Sequence, residues 1–360
     1  MSHDALNNIR VLELASVLAG PLAGTALAVR GAAVTKVERP PHGDVTRSWR
    51  RRDEPAVVDA DGRPASAYWA AANWGKAVAW VDLATAEGQA WLEEALATHD
   101  VVVQNFKEAD LAKFNLSPTA LSTRHPHLVH VRLIGFRGQP DRLAYDVVVQ
   151  AETGWMHMNG HPATRMPVAL MDVLASHEIR AAVLEGLLGR TQHPLGHGSY
   201  HEIALEDCGV AALANQATNH LIGGVSPGPA GNEHPNIAPY GDLLACRDGH
   251  VVLAVGSDRQ FEALCAVLDM PECATEPDFA GNSNRVANRR ALIARLAPAA
   301  ARWGKVELEL AFRGAGVPAG VVRTLPEVFS AENWPAEGGR PAPVLIDDNG
   351  ARRSNPSARR

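Results

Sequence analysis

In the stretch RMPVALMDVLASHEIRAAVLEGLLGR, residues 165–190, one carboxylate stands among apolar neighbours. Asp172 follows the run VALM and is the only acidic residue between Glu152 and Glu178. Desolvating a carboxylate is costly unless it is paired, caps a helix or is chemically employed. The pattern downstream predicts a long helix after Asp172, and aspartate is a favoured N-cap. By local pattern alone, capping is the stronger reading. A carboxylate nucleophile is the other, because no serine stands in the strand-to-helix elbow of a serine nucleophile.

Two further chemistries can be weighed against their ordinary explanations. The N-terminal stretch LASVLAGPLAG lacks the G-x-G-x-x-G of a dinucleotide site, although Glu38 stands where a ribose-binding acid would. What it retains is a helix start near Gly20, whose free N–H groups can face an anion, with Lys36, Arg39 and Arg47 nearby in sequence. A structural β-α-β unit with solvated basic residues explains this feature equally well. His193, His197 and His201 are spaced by four, as are His157 and His161. On a helix that spacing would align imidazoles for a metal. Pro194, Gly196 and Gly198 interrupt the first set, so it reads as a polar turn with no metal site.

The elements that must position these groups begin with strand IRVLELA. A helix follows, with Pro21 in its first turn and its end near Gly31, then strand AVTKVERP. That β-α-β unit argues for a parallel sheet. Residues 45–75 read as irregular. A helix capped by Thr85, strand VVVQ, a helix near 108–124 and strand LVHVRLIGF continue the alternation, as in a doubly wound domain. Helices around 145–156 and after Asp172, strand YHEIALED and a helix at 207–222 complete it. The Gly/Pro-rich residues 223–240 read as a long loop at a boundary. We therefore expect an α/β chain with a large Rossmann-like domain over 1–222, a smaller α+β domain over 223–330, and a polar tail over 331–360 that could pack back on the large domain.

Bulk properties narrow the class. The 360 residues are 46% hydrophobic and 21% charged, enough for two sizeable cores. A formal charge of −6 gives no overall basic footprint for nucleic acid. No apolar run approaches the ~20 residues of a membrane helix, and MSHDALNNIR lacks the basic-then-apolar pattern of a secretion signal. The four cysteines are scattered, with no C-x-x-C pair. Reduced thiols and a cytoplasmic location are the expectation.

A longer pattern changes the reading of Asp172. The segments VLELASVLAGPLAGTALAVRGAAVTKVERPPHGDVTR, NWGKAVAWVDLATAEG, DVVVQNFKEADLAKF, AYDVVVQAETG and GNEHPNIAPYGDLLACRDGHVVLAVGSDRQFEAL strongly resemble the class III CoA-transferases. That superfamily includes formyl-CoA and carnitine CoA-transferases and the α-methylacyl-CoA racemases. The resemblance runs in order over roughly residues 8–330. It implies two chains interlocked as a homodimer, coenzyme A or acyl-CoA bound as substrate with no permanent cofactor, and small carboxylic acids as the other partner. It also implies an aspartate nucleophile just before a long helix, matched here by Asp172. Tyr145 and Asp146 match the pair beside the active site. Val17 and Ala19 match backbone positions along the CoA, Arg39 a contact to its phosphates or adenosine, and Asn105 and Phe106 the family's NF pair. Lys113 falls where an arginine is often found, keeping the charge but losing the forked geometry.

Two departures bear on activity. Leu18 replaces a glutamine of the formyl-CoA transferase branch, and the loop GGVSPGPAGNEHPN is shorter and richer in proline than that branch's glycine lid. The racemase branch pairs its aspartate with a histidine, and Tyr145 occupies the matching position. A tyrosine of ordinary pKa near 10 is a poor partner in that work. The resemblance therefore points to CoA transfer, with a racemase-like isomerase or a non-catalytic CoA-binding homologue as the alternatives.

Overall fold

The computed structural model describes residues 5–73, 75–330, 345–346 and 352–353. Its contacts divide the chain into two units. Among the described residues, the larger takes those up to Trp155, Arg165–Ala217 and those beyond Ser330; the smaller takes Met156–Thr164 and the chain from Thr218 to Ser330. The polar tail expected from residue 331 lies outside the described residues, apart from the paired two-residue strands Leu345–Ile346 and Arg352–Arg353.

The larger unit is built on six parallel strands: β1 (Arg10–Glu13), β2 (Ala33–Glu38), β3 (Ala77–Trp80), β4 (Val101–Gln104), β5 (Val129–Ile134) and β6 (Tyr200–Ala204). Their order is β3-β2-β1-β4-β5-β6. This is the doubly wound order, and the sense in which successive strands are added reverses between β1 and β4. The helices that matter to the site are α1 (Ala19–Val29), α2 (Ala86–Thr98), α3 (Asp146–Glu152) and α4 (Leu170–Gln192). Alternate strand residues feed two cores. Val11, Val101, Val103 and Val129 pack with Ala23 and Leu27 of α1 and Ala175 and Ile179 of α4. Leu12 and Val102 pack on the other face with Leu92 and Leu96 of α2. Near-continuous apolar strands are the signature of a sheet covered on both faces.

Several expected helices are broken. The helix near 108–124 is two, Glu108–Lys113 and Pro118–Arg124, because Asn115 turns left-handed and Pro118 starts afresh. Gly154, at φ 87°, ends α3 before the helix expected to 156 finishes. Leu205–Ala211 and Ala214–Leu221 replace the single helix at 207–222, with Ala214 at φ 45°. Residues 45–75 are less irregular than expected, containing the 3-10 turn Val45–Ser48, short paired strands and the helix Ala67–Asn73.

The smaller unit holds three antiparallel strands, β7 (Tyr240–Cys246), β8 (Gly249–Ala254) and β9 (Ala319–Val321), in the order β9-β8-β7. Its own core gathers Leu244, Val251, Phe261, Leu264, Leu292 and Phe312.

One buried ionic cluster ties the carboxyl ends of β1 and β2 to the loops around them. Glu13 ends β1 and lies directly across from Lys36 of β2. It accepts from Lys36 Nζ at 3.3 Å and Lys76 Nζ at 2.7 Å. Lys36 also reaches Asp44 at 3.0 Å and the Ala15 carbonyl at 3.0 Å. Lys76 donates to the carbonyls of Pro21 and Ala72, each at 2.7 Å. Gly24 makes room for the Glu13 carboxylate, since a Cβ there would stand 1.9 Å from Glu13 Oε2. Burial pulls Lys76 down to about 8 against the pull of Glu13. Burial acts on Lys36 as well, yet Glu13, Asp44 and Glu38 hold its ammonium above the ordinary lysine value. Removing one partner of such a cluster strands the others without water. Glu13→Gln is expected to lower unfolding free energy by about 3–5 kcal/mol, measured by urea denaturation.

Candidate active site

Loops from the carboxyl ends of β1, β4 and β5 meet at the point where the strand order reverses, and a cavity of about 150 Å³ opens there. Ser16 to Ala19 supply one wall, Asn105 and Lys107 a second, and Gly135 and Arg142 to Tyr145 a third. Asp172 lines the same space from the first turn of α4. Doubly wound sheets bind their ligands at this place because neighbouring loops part there in opposite directions.

Asp172 is not the cap of its helix. The helix starts at Leu170, before the position expected from sequence, with Ala169 at the N-cap and no side chain capping from within. The capping oxygen comes from another helix: Asp146 Oδ1 accepts from the Met171 N–H at 2.6 Å. Gln150 steadies that carboxylate, donating to Asp146 Oδ2 at 2.5 Å, and accepts from the Met166 N–H at 2.7 Å. Asp146 is buried and does not line the cavity, so the structure gives it a holding position one residue away from Asp172. Burial raises the Asp172 carboxyl to about 7, with the charge of Asp146 adding to the effect. Desolvation and charge repulsion thus both favour the protonated form of this carboxyl.

Asn105 clamps the opposite wall. Its Oδ1 accepts from the Ser16 N–H at 3.1 Å and its Nδ2 donates to the Ser16 carbonyl at 3.2 Å. Val17 then takes φ +73°. A β-branched residue in the left-handed region costs about 1–3 kcal/mol, sustained only where surrounding contacts hold it. Val17 N donates to Asp44 Oδ2 at 3.1 Å. Leu18 is the N-cap of α1 without a side-chain cap bond, and Ala19 opens the helix, so its first N–H groups lie at the cavity.

Of the remaining candidates, Arg39, Phe106 and Lys113 stand apart from the cavity. Arg39, just beyond β2, is largely exposed and reaches Asp82 at 3.2 Å. A bond from the Ala84 N–H holds the Asp82 carboxyl below its usual range, and the charges of Arg39 and Lys113 add to this. Those two cations therefore share one neighbourhood. Lys113 Nζ lies 5.2 Å from the Phe114 ring, which stands 5.4 Å from Phe106. Tyr145 is exposed and lines the cavity. The structure thus brings Val17, Ala19, Asn105, Tyr145 and Asp172 together, with Asp146 behind and Arg39, Phe106 and Lys113 outside.

Sequence reasoning missed three groups. Lys107 and Arg142 line the cavity but match no motif; Lys107 simply follows the NF pair. Tyr68 is pushed up to about 12 by burial, then by the charges of Asp172, Asp146 and Asp44. Only tertiary proximity discloses it. Of the histidines, His193 and His197 stack 4.7 Å apart in a turn, and His201 Nε2 lies 2.7 Å from Ser199 Oγ.

The fold and site define an α/β protein with a ligand cavity and a desolvated carboxyl at the switch point of a doubly wound sheet. The chain belongs to CoA-transferase family III, whose profile matches residues 6–340. It is 38% identical to a succinate–glutarate CoA-transferase of Agrobacterium fabrum, over 92% of this chain and 84% of that protein. The acetyl-CoA:oxalate CoA-transferase of Acetobacter aceti is 31% identical over 93% and 84% of the two chains. A crystal structure of a CaiB/BaiF family protein from Brucella suis superposes with a TM-score of 0.81 at 35% identity, covering 97% of this chain and 90% of that one. The protein is accordingly an enzyme that moves CoA from an acyl-CoA to a carboxylic acid.

Two outcomes follow from the charge balance at Asp172. Its folded carboxyl, at about 7, binds a proton that the unfolded chain releases near its ordinary 3.8, so stability falls as pH rises between those values. Asp172→Asn should lack this dependence and exceed the wild type above pH 7 by on the order of 4 kcal/mol, read from denaturation at several pH values. Asp146→Asn removes the like charge, so the Asp172 carboxyl should titrate below its wild-type position of about 7, read by carboxyl NMR. Loss of the charged cap should cost about 1 kcal/mol in the same variant.

Proposed function

We propose that Asp172 is the nucleophile of CoA transfer. The observation that carries this reading is a partly buried carboxyl, raised to about 7, in the wall of a cavity that also receives the amino end of α1. The Asp172 carboxylate attacks the thioester carbonyl of the donor acyl-CoA. The C–S bond breaks, giving an aspartyl acyl anhydride and CoA thiolate. The thiolate attacks the Asp172 carbonyl, the anhydride C–O bond breaks, and the donor leaves as its carboxylate. The acceptor carboxylate attacks the resulting aspartyl thioester and displaces the thiolate. The thiolate then takes the acceptor's acyl group and frees Asp172. Thioester free energy is conserved, so the scheme needs no resident cofactor.

Val17, Ala19 and Asn105 are proposed to lie along the CoA beside the thioester. Arg39, Phe106 and Lys113 would take its more distant parts, Arg39 offering forked donors to phosphate. Tyr145 would contact the reacting acyl group. Short dicarboxylates are the proposed donor and acceptor. The names of the relatives, which include succinate, glutarate, mesaconate and oxalate, support this, as do the cavity cations Lys107 and Arg142. A homodimer and a reducing, cytoplasmic setting complete the proposal. The four cysteines are unpaired. No helix among the described residues is long and apolar enough to cross a membrane.

The experiment incubates the enzyme with pooled acyl-CoAs and free mono- and dicarboxylic acids and reads the products by mass spectrometry. Asp172→Ala should abolish exchange, and borohydride should trap a reduced adduct at Asp172 in the wild type. Retained exchange, or an adduct on another residue, would overturn the assignment.

A further inference from the structure

The wall of the cavity opposite the β5 loop depends on one peptide unit, Ser16–Val17. Its carbonyl accepts from Asn105 Nδ2 at 3.2 Å and its N–H donates to Asp44 Oδ2 at 3.1 Å. The plane of that peptide is therefore held from both sides, and the residue it leads into, Val17, sits at φ +73°. Nothing in the side chain of valine favours this conformation; glycine would adopt it without strain. Asp44 is well suited to enforce it. The residue is buried and all its carboxylate valences are used. Oδ1 accepts from the Thr46 N–H at 3.0 Å and Thr46 Oγ1 at 2.8 Å, while Oδ2 takes Val17 N and the Lys36 ammonium at 3.0 Å. Burial opposes its ionisation, but the Lys36 charge and the Thr46 bonds hold the carboxyl below the usual range.

We propose that Asp44 is a positioning residue for CoA transfer: it locks the Ser16–Val17 peptide in its left-handed form and so shapes the backbone from Val17 to Ala19 that walls the cavity shared with Asp172. Asp44 touches no part of the cavity itself and acts only through Val17. The inference rests on the assignment of this cavity as the site of transfer. It extends that reading, because it assigns a task to a charge that lies beneath the site.

The test is a double-mutant cycle of Asp44→Asn with Val17→Gly, scored on kcat/KM for transfer and accompanied by thermal melting. An amide has one acceptor for two sets of donors, so Asp44→Asn should lower kcat/KM about 10- to 100-fold in the wild-type background. In the Val17→Gly background, where the left-handed turn needs no enforcement, the same substitution should cost about threefold or less. Equal losses in both backgrounds would overturn the proposal and leave Asp44 as a part of the ionic cluster alone. Should Asp44→Asn fail to fold, Thr46→Val removes one bond that orients the carboxylate. Its loss of about threefold should vanish when Val17 is glycine, and persistence of that loss would equally overturn the idea. Transfer retained by Asp172→Ala would sink the nucleophile assignment alone, since the cycle is scored on turnover whichever carboxylate attacks.

Discussion

A fully buried carboxylate, Glu13, governs how this fold is assembled. It ends β1 inside the protein, and two ammonium groups come to it, Lys36 from β2 and Lys76 from the turn before β3. Lys36 also reaches Asp44 and a carbonyl of the loop after β1, while Lys76 reaches carbonyls of α1 and of the helix Ala67–Asn73. Three segments far apart in sequence are thereby fixed to one point below the cavity. Such a cluster is a poor source of net stability, because desolvation offsets most of its attraction. It specifies geometry instead. Any other packing of these segments would leave a buried charge unpaired.

The geometry so specified surrounds the carboxyl of Asp172. Burial and the neighbouring charge of Asp146 both disfavour its carboxylate. The same Asp146 caps α4 at Met171, so one charge anchors the helix and raises the carboxyl beside it. Strain is tolerated on the facing wall too, where Val17 adopts a conformation that valine avoids. The site thus combines a desolvated carboxyl with a strained wall, as preorganised sites do.

Much of the architecture was legible from local pattern. Apolar strands alternating with helices announced a doubly wound sheet, and Thr85 was correctly read as the cap of α2. The errors have local causes as well. Asn115, Gly154 and Ala214 each adopt positive φ and break a helix that periodicity alone would continue. Hydrophobic spacing registers which face is buried, but carries little information about a single residue turning left-handed. Asp172 shows the limit most clearly. Its place before a long helix reads as a cap, and only the distant oxygen of Asp146 shows that the capping role is filled from elsewhere.

By itself, the sequence determined the alternation of strands and helices, the family motifs and the choice of Asp172 as the residue to examine. These depend on residue type and near-neighbour spacing, which a linear chain carries in full. Tertiary structure alone decided that loops after β1, β4 and β5 enclose one cavity, that Lys107 and Arg142 belong to it, and that Tyr68 feels the charge of Asp172. It also decided the task of Asp44, which reaches Val17 across 27 positions of chain. Desolvation and charge coupling are properties of distance in space. They come into being only when the sheet closes and water leaves.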